Sequence, residues 1–275
     1  MFSIIRSGMD TARHELSVVS NNISNANTHG FKKSITTFAD ISAAAHKDSL
    51  PAKDAGLGSF VEGTRSIHSQ SAVVSTDQKT DLAIAGSGYF MVRNPNNLNN
   101  AESSIEFTRN GSFALDAEGF LTTSDGATVL GYPPIEGQFS AVVDNPNLVA
   151  PIQIPYLRDG LQMSNLEINS DGQISAIYGS NDPEPIGTIA LANFSNPSGL
   201  KEIGNARYMA SGDQGSLILG APSFDSFGKL KVGGLETSNV DLTNELTGMI
   251  KAQQQFNGAV RVLQSSSEMI EKLTR

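Results

Sequence analysis

The stretch FSIIRSGMDTARHELSVVSNNISNA, residues 2–26, decides the fold, because its apolar side chains recur at alternating steps of three and four residues. Side chains spaced in this way form one stripe along a helix. Residues 242–270 repeat the pattern near the other end of the chain. A helix with such a stripe buries it against another helix, so both ends are predicted to be helices that pack on helices. The stripes comprise Phe2, Ile5, Met9, Ala12, Leu16, Val19, Ile23 and Ala26 in the first helix, and Leu242, Leu246, Met249, Phe256, Val260, Leu263 and Ile270 in the last.

The first helix has a predicted start and stop. It is expected to run from about Ser3 to about Ala26 and to end at Asn27–Gly30, because glycine adopts the left-handed conformation that follows many helix ends. Three asparagines late in this helix are poor helix formers. Two interpretations stay open: the helix end frays there, or these side chains make polar contacts between packed helices. The residues are Asn21, Asn22 and Asn25.

The last helix is expected to begin after Gly233–Gly234, with Asn239 or Asp241 as its cap. Glu245 lies in the first turn, where a carboxylate suits the helix dipole. No proline interrupts the chain beyond this point. The helix is therefore predicted to continue to the end of the sequence.

Between the two helices the apolar period changes to two, which is typical of β-strands. Strands are predicted on both sides of Gly86–Gly88 and on both sides of Asn110–Gly111, and each of these short segments is read as a hairpin turn. Residues 112–121 and 165–174 share a second design, in which a strand, an Asx-led turn ending in glycine and another strand follow one another. The pattern predicts an antiparallel, all-β middle.

These elements predict an α+β fold in three parts. The long terminal helices, residues 1–30 with 237–275, are expected to form a coiled-coil inner domain. Residues 31–63 are predicted to be a connector, extended or mobile over 42–58, where small and polar residues dominate. Residues 64–236 are expected to form a β-rich outer domain. It could include a small subdomain at about 133–185, where prolines cluster.

Composition excludes several classes of protein. A net charge of −9 without any basic run argues against nucleic-acid binding. The absence of cysteine excludes disulfides and thiolate metal sites. No apolar stretch reaches membrane-spanning length, so no membrane insertion is expected. The N-terminus lacks the basic and long apolar regions of a cleaved secretory signal.

Motifs for chemistry are missing from the sequence. There is no nucleophile elbow and no phosphate-binding loop. His14-Glu15 begins like a zinc-protease motif, but Val18 stands where the second histidine ligand would be. We therefore expect no catalytic residue, no cofactor and no metal site, and the protein is not predicted to be an enzyme.

Four blocks of sequence, taken together, resemble the signatures of bacterial flagellar rod and hook proteins. They are SNNISNANTHGFK at 20–32, DLAIAGSGYFMV at 81–92, FTRNGSF at 107–113 and a C-terminal block at 236–253. The blocks occur in the family's order and span nearly the whole chain. The signature residues among them are Asn21, Asn22, Asn25, Gly30, Phe31, Gly86, Gly88, Phe90, Arg109, Gly111, Ser238 and Asn239.

Two members of this family compete. The segment GTIALANFSNPSGL, residues 187–200, looks most like the hook protein, whereas the short chain and residues 67–70 look more like the distal-rod protein. We take hook as the first interpretation and distal rod as its alternative. A β-rich secreted binding module, with helical ends that pack within one chain, is the alternative from another class.

The resemblance implies a structural role. The subunit would polymerise with copies of itself into a tubular helical polymer that transmits motor torque, and the terminal stripes would pack between subunits, becoming ordered on assembly. Other axial proteins and a capping or junction protein would be its further partners. The type III export apparatus would secrete it, and it would lie in the basal body or hook, extracellular in a hook and periplasmic in a rod.

Overall fold

The computed structural model describes residues 2–42, 56–94, 105–134 and 149–274. Helix α1 spans Phe2–Ser24 and helix α2 spans Leu242–Thr274. None of the helices in the described residues is long and apolar enough to cross a membrane. The described part contains twenty strands: β1 Ser34–Ser42, β2 Gly56–Ser66, β3 Val73–Ser75, β4 Leu82–Ala85, β5 Tyr89–Arg93, β6 Ile105–Thr108, β7 Phe113–Leu115, β8 Leu121–Thr123, β9 Thr128–Tyr132, β10 Ala150–Pro151, β11 Leu157–Arg158, β12 Leu161–Ile168, β13 Gln173–Tyr178, β14 Glu184–Ile189, β15 Leu191–Phe194, β16 Lys201–Gly204, β17 Arg207–Met209, β18 Leu217–Gly220, β19 Lys229–Val232 and β20 Gly234–Glu236.

The chain divides into two compact units. Unit 1 comprises Met1–Ala26, Lys32–Ile67 and Val240–Arg275, and unit 2 comprises Asn27–Phe31 and His68–Asn239. Helices at both ends and an antiparallel β middle are therefore confirmed. Both helices belong to the same unit although more than two hundred residues separate them in sequence.

In unit 1, α1 packs on α2 and also on a long hairpin formed by β1 and β2. His14 of α1 hydrogen-bonds Thr64 of β2, with 2.9 Å between Nε2 and Oγ1. This hairpin corrects the prediction of a connector over residues 31–63, where the apolar pattern is weak: Phe38 and Phe60 of the two strands are 40% and 48% exposed. Most of the segment predicted to be extended or mobile, 42–58, lies outside the described residues.

Unit 2 is built around one large sheet of fourteen described strands, in the main order β11-β12-β13-β14-β9-β5-β6-β17-β16. Every strand pair in the described residues is antiparallel, including the small sheets β4–β19 and β3–β20. Strand β5 lies at the centre and is buried on both faces. Its Phe90 and Val92 join one apolar cluster, and Tyr89 and Met91 join the other. This alternation is what a pleated strand with period two imposes.

The two Asx-led hairpins are confirmed. At Asp116 the backbone N–H bonds Phe120 O at 3.0 Å, and at Asn169 the N–H bonds Gln173 O at 2.9 Å. Both turns end in a glycine with a left-handed backbone, Gly119 at φ 82° and Gly172 at φ 75°. The first turn joins β7 to β8 and the second joins β12 to β13.

The other two predicted hairpins are wrong. Strand β4 pairs with β19 and not with β5, and β6 pairs with β5 and β17 but not with β7. The glycines serve close backbone approach instead. A Cβ on Gly86 would lie 2.8 Å from Gly228 Cα, and one on Gly111 would lie 1.6 Å from Leu82 O. Glycine is therefore needed at these positions because a distant segment of backbone lies against it, whereas the sequence pattern predicted a hairpin turn.

The ends of the helices agree with prediction to within a few residues. Helix α1 stops at Ser24, and Gly30 has φ 70°. Asp241 caps α2, since its Oδ1 accepts hydrogen bonds from the backbone N–H groups of Thr243 and Asn244 at 2.9 and 3.2 Å. The alternative cap, Asn239, bonds elsewhere. Part of the segment predicted as a subdomain, residues 135–148, lies outside the described residues.

Candidate assembly surface

The apolar stripe of α1 is largely covered within unit 1. Of the predicted stripe residues in α1, Phe2 at the start of the helix is exposed, with 43% of its surface accessible to solvent. Burial is complete in the middle of the stripe, where Ala12 is fully inaccessible. Val19 is buried, and Ile5, Met9, Leu16, Ile23 and Ala26 are half-buried.

The stripe of α2 is covered less completely. Leu242, Leu246 and Ile270 are 46%, 49% and 46% exposed. The buried positions of α2 are Glu245, Ala252 and Ser266, and none of them belongs to the predicted stripe. The remaining stripe members, Met249, Phe256, Val260 and Leu263, are half-buried.

Small and polar residues account for the displacement of this stripe. Glu245 hydrogen-bonds to α1, and a Cβ on Gly248 would lie 3.8 Å from Val19 Cγ2. Glu245, Gly248 and Ala252 thus lie on the face of α2 that meets α1, and the larger side chains beside them lie outward. Exposed apolar groups of this kind are typical of interaction surfaces. We call them the exposed α2 set: Leu242, Leu246, Ile250, Val262, Met269 and Ile270.

A polar cluster lies where α1, β1 and α2 meet in unit 1. Asn22, only 1% exposed, donates from Nδ2 to Ser34 O at 2.8 Å and to Glu245 Oε2 at 3.0 Å. Its Oδ1 accepts from Ser34 N at 2.9 Å. Lys33 Nζ stands 3.8 Å from Glu245 Oε1. For Asn22 the interhelical contact is therefore the correct alternative. The side chain of Asn25 donates to Asn21 O, 3.0 Å away, within its own helix end.

A second cluster, inside unit 2, gathers signature residues from separate blocks. Arg109 and Glu236 form an ion pair with 3.3 Å between Nη1 and Oε2, and their side chains are 5% and 0% exposed. Arg109 Nη2 also donates to Gly86 O at 2.9 Å. Glu236 Oε1 accepts from Ser71 N at 2.9 Å. A buried pair needs such additional bonds to offset the loss of hydration.

Tyr89 lies beneath this ion pair. The guanidinium of Arg109 stands 5.1 Å from the centre of the Tyr89 ring, a cation–π contact. Burial raises the pKa of Tyr89 to about 12, against the opposing effect of Arg109 and with a small addition from Glu236. The phenol therefore stays neutral at every physiological pH.

The same cluster holds the loop at residues 27–31. Gly30 N donates to Glu236 O at 2.9 Å, and a Cβ on Gly30 would lie 2.4 Å from Asn110 N. Phe31 O accepts from Asn239 N at 3.4 Å. Both the positive φ and the lack of space require glycine at position 30.

Residues 69–71 complete the second cluster. Ser71 Oγ donates to Ser238 O at 2.9 Å, and Asn239 Nδ2 donates to Ser69 Oγ at 3.1 Å. Hydrogen bonds within unit 2 thus join three segments that are far apart in sequence, residues 27–31, 69–71 and 236–239. Each segment ends next to a boundary between the two units in the sequence. Of the other signature residues, Phe90 is fully buried and contacts Phe113 edge-to-face at 5.1 Å, while Gly88 packs near Leu191.

Sequence reasoning missed the acidic members of both clusters, Glu236 and Glu245, as site residues. Little in the sequence indicates that these two carboxylates belong to a site. Each is a single acidic residue near the start of the last helix, and the residue that it contacts lies more than one hundred positions away. In the described residues no group of His, Asp and Glu side chains has an arrangement that could hold a metal ion.

Three family models match the chain. Residues 4–32 match the flagella basal body rod protein family, residues 83–176 the D1 domain of flagellar hook protein FlgE/F/G, and residues 231–275 the C-terminal region of flagellar basal body rod FlgEFG protein. The matches include both helices and the centre of unit 2.

Whole-chain relatives are rod and hook proteins. The flagellar basal-body rod protein FlgG of Bacillus subtilis is 35% identical over 277 positions, covering 97% of this chain and 95% of the relative. FlgG of Buchnera aphidicola subsp. Acyrthosiphon pisum is 31% identical, with coverage of 99% and 97%. The flagellar hook protein FlgE of Rhizobium meliloti is 26% identical, with coverage of 97% and 96%.

Terminal helices in one unit, an antiparallel β unit and these matches define a structural subunit of the bacterial flagellum. The chain belongs to the FlgE/F/G family of flagellar rod and hook proteins. Within that family the relatives support the rod alternative better than the hook interpretation taken first from residues 187–200.

Proposed function

We propose that this protein is a rod subunit of the flagellar basal body. The length of the alignments carries the assignment. The rod relative from Bacillus subtilis aligns over 277 positions, close to the 275 residues of this chain. The hook relative aligns over 407 positions, so more than one hundred of its positions have no counterpart here.

We propose further that unit 1 completes its packing with other copies of the chain. Fully burying a leucine, isoleucine or methionine side chain contributes about 1.5–3 kcal/mol, and the exposed α2 set leaves much of that unused in a single chain. Head-to-tail contacts between different surfaces build an open helical polymer. Such contacts would extend the α1–α2 pair into a coiled-coil inner layer that uses both predicted stripes.

The β1–β2 hairpin is a second candidate contact. Phe38 is paired with Val61 and Phe60 with Ala39, so the two exposed rings lie on adjacent rungs and on opposite faces of the hairpin. Aromatic side chains are enriched where proteins meet. The type III export apparatus, other axial proteins and a junction protein are proposed as further partners, with a periplasmic position in the rod.

Labelling of isolated basal bodies tests the assignment. A small epitope tag would be inserted beside Gly126, where a turn has open space around it, and tagged protein expressed in place of the native copy. Gold-conjugated antibody should label the straight rod in detergent-stripped basal bodies. Label on the curved hook would contradict the rod assignment, and basal bodies without label anywhere would contradict an axial role altogether.

A further inference from the structure

The apolar seam between α1 and α2 leaves their register weakly determined. Steps of three and four repeat every seven residues, so a shift by one heptad brings similar apolar side chains back into contact. The centre of the seam is lined by Ala12 and Ala252, which are fully buried but too small to interlock strongly. A polar group buried at one seam position is the usual device that specifies register.

Asn22 is such a group: its bonds to Ser34 fix the side chain against β1, and its bond to Glu245 depends on the register of α2. Its amide satisfies both the N–H and the C=O of Ser34 and reaches Glu245 across the helix pair. A slip of one heptad moves α2 by about 10 Å along α1, at about 1.5 Å per residue. That displacement breaks the 3.0 Å hydrogen bond and separates the buried amide of Asn22 from the carboxylate of Glu245.

We infer that Asn22 is a positioning residue that fixes the register of α1 against α2 and so sets where the exposed α2 set lies for assembly. The inference rests on the proposed polymeric function for its biological purpose. The register itself is a property of the single chain and can be measured without assembly. A failure of assembly and a failure of register can therefore be observed separately.

The chain has no cysteine, so pairs of introduced cysteines can measure register directly. The pair Val19→Cys with Gly248→Cys reports the observed register, because these positions are adjacent in the structure. The pair Val19→Cys with Gln255→Cys, one heptad further along α2, reports a slip. Mild oxidation followed by electrophoresis gives the cross-linked fraction for each pair in the full-length monomer.

With Asn22 present, the first pair should cross-link nearly completely and the second hardly at all. Asn22→Leu, which replaces the amide by an apolar group with the same branching, should raise cross-linking of the second pair at least five-fold while the far-ultraviolet circular dichroism keeps its helix signal. Asn21→Leu is the matched control, since Asn21 is exposed one position away, and it should change neither pair. Glu245→Gln keeps an acceptor for Asn22 and should also preserve the register.

An unchanged cross-linking pattern in Asn22→Leu would overturn the inference, as would equal slippage in Asn21→Leu. Electron microscopy of the same proteins, without the cysteines, separates this result from the proposed function. Asn22→Leu should lose at least nine-tenths of its polymer while the unaltered chain forms tubes. If the unaltered chain never forms tubes, the polymer proposal fails, and the cross-linking result still decides the role of Asn22.

Discussion

Phe90, Leu130 and Ile174 of unit 2 are fully buried, whereas Leu246, Ile250 and Met269 of unit 1 are 49%, 54% and 59% exposed. The β unit therefore has a fully buried apolar interior, although Leu157 and Phe224 on its surface are 60% and 58% exposed, whereas the helical unit presents its exposed apolar side chains along its longest helix. We therefore expect the stability of the fold to depend mainly on unit 2 and polymerisation to depend mainly on α2. Changes inside unit 2 should cost folding energy, and changes on the surface of α2 should cost polymerisation.

Spectroscopy can separate the two units. All five tyrosines, Tyr89, Tyr132, Tyr156, Tyr178 and Tyr208, lie in unit 2, and the sequence contains no tryptophan. Both long helices lie in unit 1. Tyrosine fluorescence therefore reports on the β unit, and circular dichroism at the helix band reports mainly on the helical unit.

The largest loss of stability is expected for Arg109→Met. The substitution leaves the carboxylate of Glu236 fully buried without its cation, which typically costs about 3–5 kcal/mol. Urea unfolding followed by tyrosine fluorescence should show the midpoint falling sharply. Arg158→Met is the control, because its ion pair with Glu184 is more than 40% exposed on both sides and is worth at most about 1 kcal/mol. Equal shifts for the two variants would contradict the assigned importance of the buried pair.

A smaller effect is expected at the start of α2. Asp241→Ala removes the cap that accepts two backbone hydrogen bonds, at a cost of about 1 kcal/mol. The helix signal in circular dichroism should melt earlier, while the tyrosine midpoint moves less. Asp241→Asn, which keeps an accepting oxygen, should restore most of the loss. A fluorescence shift as large as the dichroism shift would show that the two units unfold together.

Acid should weaken unit 2 through Asp125. Burial opposes ionisation of this carboxylate, but hydrogen bonds from Thr123 and Asn205 and the charge of Arg207 together hold its pKa below the usual value. A lowered pKa in the folded state gives stability that is fully present above the unfolded pKa, near 4, and is lost as the pH falls through the folded value. In Asp125→Asn, fluorescence-monitored stability should therefore depend less steeply on pH below about 4. An identical slope in both proteins would exclude this role.

The sequence was most informative where a pattern has a single physical meaning. The seven-residue rhythm of α1 and the Asx-led turns at Asp116 and Asn169 were read correctly, because each depends on neighbours close along the chain. The turns at Gly86 and Gly111 were misread. A glycine signal is the same for a chain reversal and for close approach of a distant backbone, and only the fold decides between them.

The two polar clusters could be predicted only in part. Asn22, Gly30, Arg109 and Asn239 were selected by family resemblance, without indication of what each contacts. Glu236 and Glu245 were missed because a buried ion pair or amide contact between distant segments leaves no local pattern. The exposure of the α2 stripe was missed for a related reason, since it depends on which face of α2 meets α1, where Glu245 and Ala252 are buried.

The smallest change in stability, with the largest change in assembly, is expected for Leu246→Glu combined with Ile250→Glu. Both side chains are about half exposed, so charged replacements should alter the unfolding midpoint by less than about 0.5 kcal/mol per site. Placed between subunits, the same carboxylates would be buried without partners, and polymer should be absent by electron microscopy and sedimentation. Gln254→Glu combined with Gln255→Glu adds the same charge at exposed positions of the same helix outside the set and should assemble normally. Normal assembly of the first variant would show that the exposed α2 set is not the contact between copies, and the exposure of apolar side chains along α2 would then need another explanation.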